Sequence, residues 1–241
     1  MRFLVIGDVC RDMYHFGSTR RVNPESRAPL LNKITTEIKV GMAANVAENL
    51  RALGASVDTI FPPERWSEKH RYIDRQGKHL LRVDFDSRAE PLLNAPKIQD
   101  YDGVLVSDYG KGFVSEDLLK DLDHANVFID TKKTNLGFLQ NAWVKVNEAE
   151  AERLEQEPKN LVVTLGGDGA MYRSQVFKRD YSYATDPCGA GDTFLAAFAF
   201  ALVDGGNVER SIEFANEASF ITCQNVGTYA PTLEEIEEAE W

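Results

Sequence analysis

From Asp102 onward the chain carries four short runs rich in β-branched residues, three of them apolar on consecutive residues rather than on alternate ones. They are Val104-Leu105-Val106, Val127-Phe128-Ile129, Val144-Lys145-Val146 and Leu161-Val162-Val163. A strand with one face in water alternates; a strand buried on both faces does not. Helical patterns at 115–123 and 147–156 separate some of these runs, the kind of crossover that parallel neighbours require. The rhythm predicts a largely parallel sheet with helices on its faces. An apolar run at 3–6 that stops at Gly7-Asp8 reads as a buried first strand. Ala43, Val46, Ala47, Leu50 and Leu53 fall at helical spacing before Gly54, so 42–53 reads as a helix with a glycine C-cap. A strand at 56–60 follows. Residues 12–40 carry Pro24 and Pro29 and no helical period, and read as extended segments and loops. Residues 70–86 read as a hairpin turning at Gln76-Gly77. The chain end reads as three helices, 191–204, 208–224 and 232–239. At 241 residues the length suits a single domain, 1–241.

Thirty-eight acidic residues against 27 Lys and Arg give a formal net charge of −11. That balance argues against non-specific binding to nucleic acid or to an anionic membrane surface. It leaves room for a small anionic ligand held by local cations. The most apolar run, 194–203, is about half the roughly 20 residues that span a bilayer. The apolar stretch at the start meets Asp8 at once, too soon for a signal peptide. Cys10, Cys188 and Cys223 are far apart and odd in number. They form neither a disulfide framework nor a zinc-ligand pattern, and a reducing, cytoplasmic setting is the expectation.

The strongest local signal is Asp186-Pro187-Cys188-Gly189-Ala190-Gly191-Asp192-Thr193, running into Phe194-Leu195-Ala196-Ala197-Phe198. Glycines bring backbone N–H groups close to a ligand. A helix start adds free N–H groups and the positive end of the dipole. Together they suit a phosphate. Asp192 at that helix start serves equally as a plain cap or as a base beside an anion hole, taking a proton from an attacking hydroxyl. The residues alone leave both readings open. The Gly-Lys-Ser/Thr ending of the common phosphate loop is absent, and so is Gly-x-Gly-x-x-Gly after the first strand.

Four further stretches combine with this turn: Gly7-Asp8 with Asp12, Gly41-Met42-Ala43-Ala44-Asn45, Asn147-Glu148-Ala149-Glu150, and Asn225-Val226-Gly227-Thr228. In this order the set resembles the ribokinase-like (PfkB) carbohydrate kinases across nearly the whole chain. Within that family it is most similar to the kinases acting on D-glycero-D-manno-heptose 7-phosphate. Arg21-Val22-Asn23-Pro24-Glu25 before Ala28-Pro29, Ser107-Asp108-Tyr109-Gly110-Lys111-Gly112 and Asp130-Thr131-Lys132 carry that resemblance.

The resemblance implies a ribokinase-like three-layer α/β/α fold with a small β lid from about 12–40 and 69–86. It implies ATP-dependent phosphorylation of a sugar or sugar-phosphate hydroxyl, with heptose 7-phosphate the first choice and the 1,7-bisphosphate its product. Asp192 is then the base, with the N–H groups of Gly189, Ala190 and Gly191 as the anion hole. Asp8, Asp12, Gly41 and Asn45 contact the sugar. Asn147 and Glu150 organise Mg²⁺ and phosphates through water, although a lone Glu in so acidic a segment also reads as a solvated helix residue. Thr164, Gly166 and Gly169 form a nucleotide-side turn, and Asn216 borders the adenine. Asp186 and the carbonyls near Val226-Gly227 hold a monovalent cation such as K⁺. Asp108, Lys111 and Lys132 follow strand ends, where open α/β sheets bind ligands; Lys111 equally reads as a loop lysine. Arg20, Arg21, Arg71 and Lys111 are candidate partners for a sugar phosphate. By analogy, a homodimer forms through the lid.

Three departures from the family pattern stand out. Met42 occupies a position where relatives carry glycine. Pro187-Cys188 replaces a pair of Thr/Val type, which removes one N–H and sets a thiol, expected buried and unreactive, beside the anion hole. After the strand at 56–60 the chain passes almost directly to the lid, so about one β-α-β unit is missing. The rivals to the first reading are a kinase of the same family for another sugar or a nucleoside, and a catalytically impaired ligand-binding homologue.

Overall fold

The computed structural model describes residues 1–64, 66–179 and 185–239, with only the backbone described at 33 and 34. In chain order it runs β1 (Arg2–Gly7), β2 (Val9–Val22), β3 (Pro29–Met42), α1 (Ala43–Ala52), β4 (Ser56–Ile60), β5 (Ser67–Asp74) and β6 (His79–Phe85). An alternating part follows: β7 (Gly103–Asp108), α2 (Glu116–Asp121), β8 (Val127–Thr131), β9 (Trp143–Asn147), α3 (Glu148–Ala151) and β10 (Asn160–Thr164). The antiparallel pair β11 (Ala170–Tyr172) and β12 (Gln175–Phe177) precedes α4 (Ala190–Val203), α5 (Val208–Cys223) and α6 (Leu233–Glu238).

The consecutive apolar runs form one sheet in the order β12-β11-β10-β9-β8-β7-β1-β4. Its six strands from β10 to β4 are parallel. Alternate residues of each run serve opposite faces. Phe3, Val5, Leu105 and Phe128 pack with α1, α4 and α5, whereas Leu4, Ile6, Val106 and Ile129 pack with α2 and the 136–139 turn. That division makes the three-layer α/β/α arrangement.

Two expectations change. The stretch read as loops and extended segments at 12–40 is a pair of 14-residue antiparallel strands. The prolines do not interrupt them, because Pro24 lies in the connection and Pro29 opens β3, where a missing donor is tolerated. The helix expected at 147–156 is four residues long. Past Ala151 the chain turns tightly, with the N–H of Leu154 on the carbonyl of Ala151, and Leu154 joins the core.

β2, β3, β5 and β6 form the second sheet, in the order β3-β2-β5-β6. Its register puts Asp12, Tyr14, Lys39, Gly41, Lys69, Arg71 and Arg82 on one face and Met13, His15, Ile38, His70, Tyr72, Leu81 and Phe85 on the other. β4 is the edge of the main sheet, and six residues lead from it to this lid. Phe61 and Trp66 anchor that connection on the core, Trp66 Nε1 donating to the Pro62 carbonyl at 3.1 Å. No helix among the described residues is long and apolar enough to cross a membrane.

Candidate active site

α4 is apolar on nearly every side and buried from Asp192 to Phe200, so the core sets its position. Gly189 caps it with φ 85°. A Cβ there would lie 2.9 Å from Asn45 Nδ2, so both conformation and space select glycine. The N–H of Ala190 turns back onto the Pro187 carbonyl at 3.2 Å. This corrects the three-donor anion hole: Ala190 is occupied by the turn that presents Gly189 and Gly191. The Cys188 N–H is likewise taken, by Asp186 Oδ1 at 3.0 Å.

Asp192 is buried. Asn45 Nδ2 donates to Oδ2 at 3.0 Å and the Tyr109 hydroxyl donates to Oδ1 at 3.0 Å. Burial pushes the carboxyl up to about 6; the Asn45 bond opposes the rise, Asp130 adds to it, and Lys145 and Tyr109 oppose it. Such a group is charged at neutral pH yet close to the range of a useful base.

Two cavities meet at this turn. One, of about 370 Å³, runs along the C-terminal ends of β8, β9 and β10. It is lined by the expected Lys132, Asn147, Thr164, Gly166, Gly169, Ala190, Gly191 and Asn216. Asn147 and Glu150 form a reciprocal cap of α3, and the second oxygen of Glu150 pairs with Lys132. Lys145 and Asp130 also line this cavity; Asp130 belongs to the 130–132 run that carries the resemblance, but neither was among the expected site residues. Lys145 Nζ pairs with Asp130 Oδ2 at 2.5 Å and would lie 3.0 Å from a Cβ on Gly191. Its sequence signal was a lysine inside a run otherwise buried on both faces, which is rare unless the charge is paired.

The other cavity, of about 270 Å³, lies between the turn and the inner lid face. The expected Asp12, Gly41, Arg71, Asp186, Gly189 and Asp192 line it. Lys69 and Arg82 do so as well and were not among the expected contacts; Met42 and the Cys188 expected beside the anion hole also line it. Arg71 is held on Asp12, Nη2 to Oδ1 3.0 Å. Tyr14 lies behind Cys188, its hydroxyl 3.4 Å from Cys188 Sγ. Burial raises the Cys188 thiol above its ordinary value, in keeping with an unreactive cysteine. Met42 has φ 61° and ψ −136°, so the glycine-like backbone is retained under a larger side chain at the cavity wall, a strained arrangement.

Several expected contacts fall elsewhere. Arg21 is exposed near the tip of the β2–β3 hairpin. It sits seven residues beyond Tyr14, the register partner of Arg71, roughly 23 Å along an extended strand. The expected convergence of Arg21 with Arg71 is therefore not met, and the neighbouring Arg20 lies on the same outer part of β2. Lys111 Nζ pairs with Asp86 at 2.6 Å. Asp108 is enclosed by its own fold: Oδ2 accepts from Thr131 Oγ1 and Lys133 Nζ, and Oδ1 from the Gly110 N–H. Asp8 Oδ2 accepts the N–H groups of Tyr109 and Lys111, while Oδ1 is buried without a hydrogen-bond partner. The Asp186 oxygens accept from the N–H groups of Cys188 and Gly227, and Lys39 Nζ takes the carbonyls of Val226 and Thr228 at 3.0 Å each. The carbonyl expected to serve a monovalent cation with Asp186 thus already serves an ammonium.

Residues 139–236 match the family described as pfkB family carbohydrate kinase. The chain is 29% identical to the bifunctional protein HldE of a Nitratiruptor species and 27% identical to that of Helicobacter pylori. The two alignments take in 99% and 98% of this chain and 65% of each relative; the chain spans slightly less than two thirds of those proteins. The first alignment runs over 299 positions, so at least 58 of them have no residue of this 241-residue chain opposite them, in line with a missing unit. Among solved structures, a ribokinase from Thermotoga maritima superposes with a TM-score of 0.71 at 18% identity, over 98% of this chain and 97% of that one. Phosphofructokinase-2 from Escherichia coli, solved with substrates and products, gives 0.71 at 16% identity, over 99% and 97%.

Proposed function

We propose that this chain, a carbohydrate kinase of the pfkB family, transfers the terminal phosphoryl group of ATP to a hydroxyl of a phosphorylated sugar, with heptose 7-phosphate the preferred substrate. The observation that carries the reading is the place of Asp192: it lines the lid-side cavity at the N-terminus of α4, directly after Ala190 and Gly191, which line the other cavity. ATP occupies the cavity along β8 to β10. The sugar occupies the cavity under the lid. Asp192 accepts the proton of the attacking hydroxyl as its oxygen bonds to phosphorus and the bond from phosphorus to the bridging oxygen breaks, releasing ADP. The N–H groups of Gly189 and Gly191, the dipole of α4 and the ammonium of Lys145 stabilise charge on the group in transit.

The lid supports the choice of an anionic sugar. Lys69, Arg71 and Arg82 bring three cations to one cavity wall of a protein with net charge −11. Asp12 neutralises Arg71 and Asp84 pairs with Arg82, whereas Lys69 has no anionic partner among the described residues and rests on the Tyr109 ring at 5.4 Å. The resemblance to heptose 7-phosphate kinases and the HldE relatives favour the same substrate.

Mg²⁺ fits the nucleotide side. Asp130 Oδ1 is buried without a hydrogen-bond partner, and Glu150 stands across Lys132 from it. These are hard oxygen donors, too few for a cage of protein ligands, as suits an ion that arrives on phosphates and keeps its waters. When bound, it would neutralise phosphate charge. The residues present do not offer K⁺ the expected set, since Lys39 holds the Val226 carbonyl. A second copy of the chain is the proposed partner for the outer lid face, where Ile38, Leu81 and Phe85 are each more than half exposed.

The test is ADP release measured over a panel of sugars and sugar phosphates. The highest kcat/KM is expected for heptose 7-phosphate. A higher value for a neutral sugar or a nucleoside would replace the substrate, and ADP release with none of them would favour a binding homologue.

A further inference from the structure

Asp8 and Asp108 are both buried acids at the ends of parallel strands, and both spend oxygens on the same short loop. Asp8 Oδ2 accepts from the N–H groups of Tyr109 and Lys111, at 2.9 and 3.0 Å. Asp108 Oδ1 accepts from Gly110 N–H at 2.9 Å and is itself braced by Thr131 and Lys133. The product of this bracing is the direction of one side chain. Tyr109 contributes to the wall of both cavities. Its ring carries Lys69 on one side and Lys132 on another, at 5.4 and 4.9 Å, and its hydroxyl ends on Asp192 Oδ1.

Resting on the reading of Asp192 as the base, we propose that Tyr109 is a positioning residue for phosphoryl transfer: from the wall between the cavities its hydroxyl orients Asp192 and stabilises the charged carboxylate. Asn45 does the same for Oδ2. With both donors in place, the carboxylate has a lone pair left on each oxygen for the sugar hydroxyl, directed away from the two bonds. Burial and the neighbouring Asp192 charge hold the Tyr109 phenol well above its ordinary value, so it remains a donor over the working pH range.

The charged and titratable groups around Asp192 are Asp130 from β8, Lys132 just beyond it, Lys145 from β9 and Cys10 from β2. None is altered when the hydroxyl alone is removed. In Tyr109→Phe, which keeps the ring and its two cations, the ¹³C carboxyl titration of Asp192 in the ligand-free protein should move up by roughly 1–2 pH units. Asp192→Asn identifies the signal. The acidic limb of the kcat/KM profile should move by the same amount. Should that variant fold poorly, 3,5-difluorotyrosine at 109, a stronger donor, should move the titration the other way. A titration that overlays the wild type in the variant that folds would overturn the proposal, whatever happens to the rate. Turnover retained in Asp192→Asn would instead overturn the base, leaving the titration result standing.

Discussion

The C-terminal rim of the central sheet and the inner face of the lid supply the two sides of the site, and they are built on different terms. At the rim, the donors and acids are set by elements buried on both faces, and α4 is pinned by its own apolar sides. On the lid, charged residues alternate with apolar ones along two-layered strands, and the cations are held by single acids: Arg71 by Asp12, Arg82 by Asp84. The rim is suited to chemistry that requires preorganised charge. The lid is suited to selecting a ligand, because the cations on its inner face are held by single acids that an anionic ligand can replace.

The largest test of that contrast is on the rim. Asp192→Asn should lower kcat by about 10²–10⁴ with little effect on ATP affinity, measured by ADP release and by nucleotide titration. The same variant should be more stable at alkaline pH. The Asp192 carboxyl is raised from 3.8 to about 6, so the stability it contributes is present below the ordinary carboxylate range and is lost as pH rises through 6. Removing the charge should therefore raise stability at pH 8 by on the order of 2–3 kcal/mol, and the gain should vanish near pH 4. Thermal melts across that range measure it.

A lid substitution should do the opposite. Arg71→Ala should weaken a phosphorylated sugar by about 10–150-fold, the range for a charge-assisted contact, and weaken the unphosphorylated analogue far less. Equal losses for both would mean that Arg71 supports the lid alone. A smaller effect is expected on the outer lid face, where Phe85→Lys should shift the protein from dimer to monomer in sedimentation while leaving saturated turnover within a few-fold. The smallest belongs to Glu150→Gln. It should raise the Mg²⁺ concentration for half-maximal rate modestly, because Glu150 also caps α3 and pairs with Lys132. A titration that overlays the wild type would return Glu150 to a purely structural role.

The rim was readable in one dimension because its parts are contiguous: Gly189 to Asp192 in one turn, Asn147 to Glu150 in another, Thr164 to Gly169 in a third. The lid was not. Lys69 and Arg82 become partners of Arg71 only through the pairing of β2, β5 and β6. Arg21 looked equivalent to Arg71 until the length of β2 carried it away from the site. Lys145 was hidden inside a strand pattern, and Tyr109 inside a motif whose neighbouring Asp108 and Lys111 carry the charge.

Apolar runs, a helix at 42–53 ending at a glycine and a glycine turn before an apolar helix were enough to specify the parallel sheet, its helical layers and the turn at the head of that apolar helix, because burial and backbone geometry act over a few residues. Which groups converge there depended on strand register and crossover, which join residues a hundred positions apart. Asp8 and Tyr109 are 101 residues apart in the chain, and Asn45 and Asp192 147. Only packing brings such pairs within hydrogen-bond distance, and it is there that two acids expected at the substrate became the braces of the loop whose tyrosine donates to Asp192.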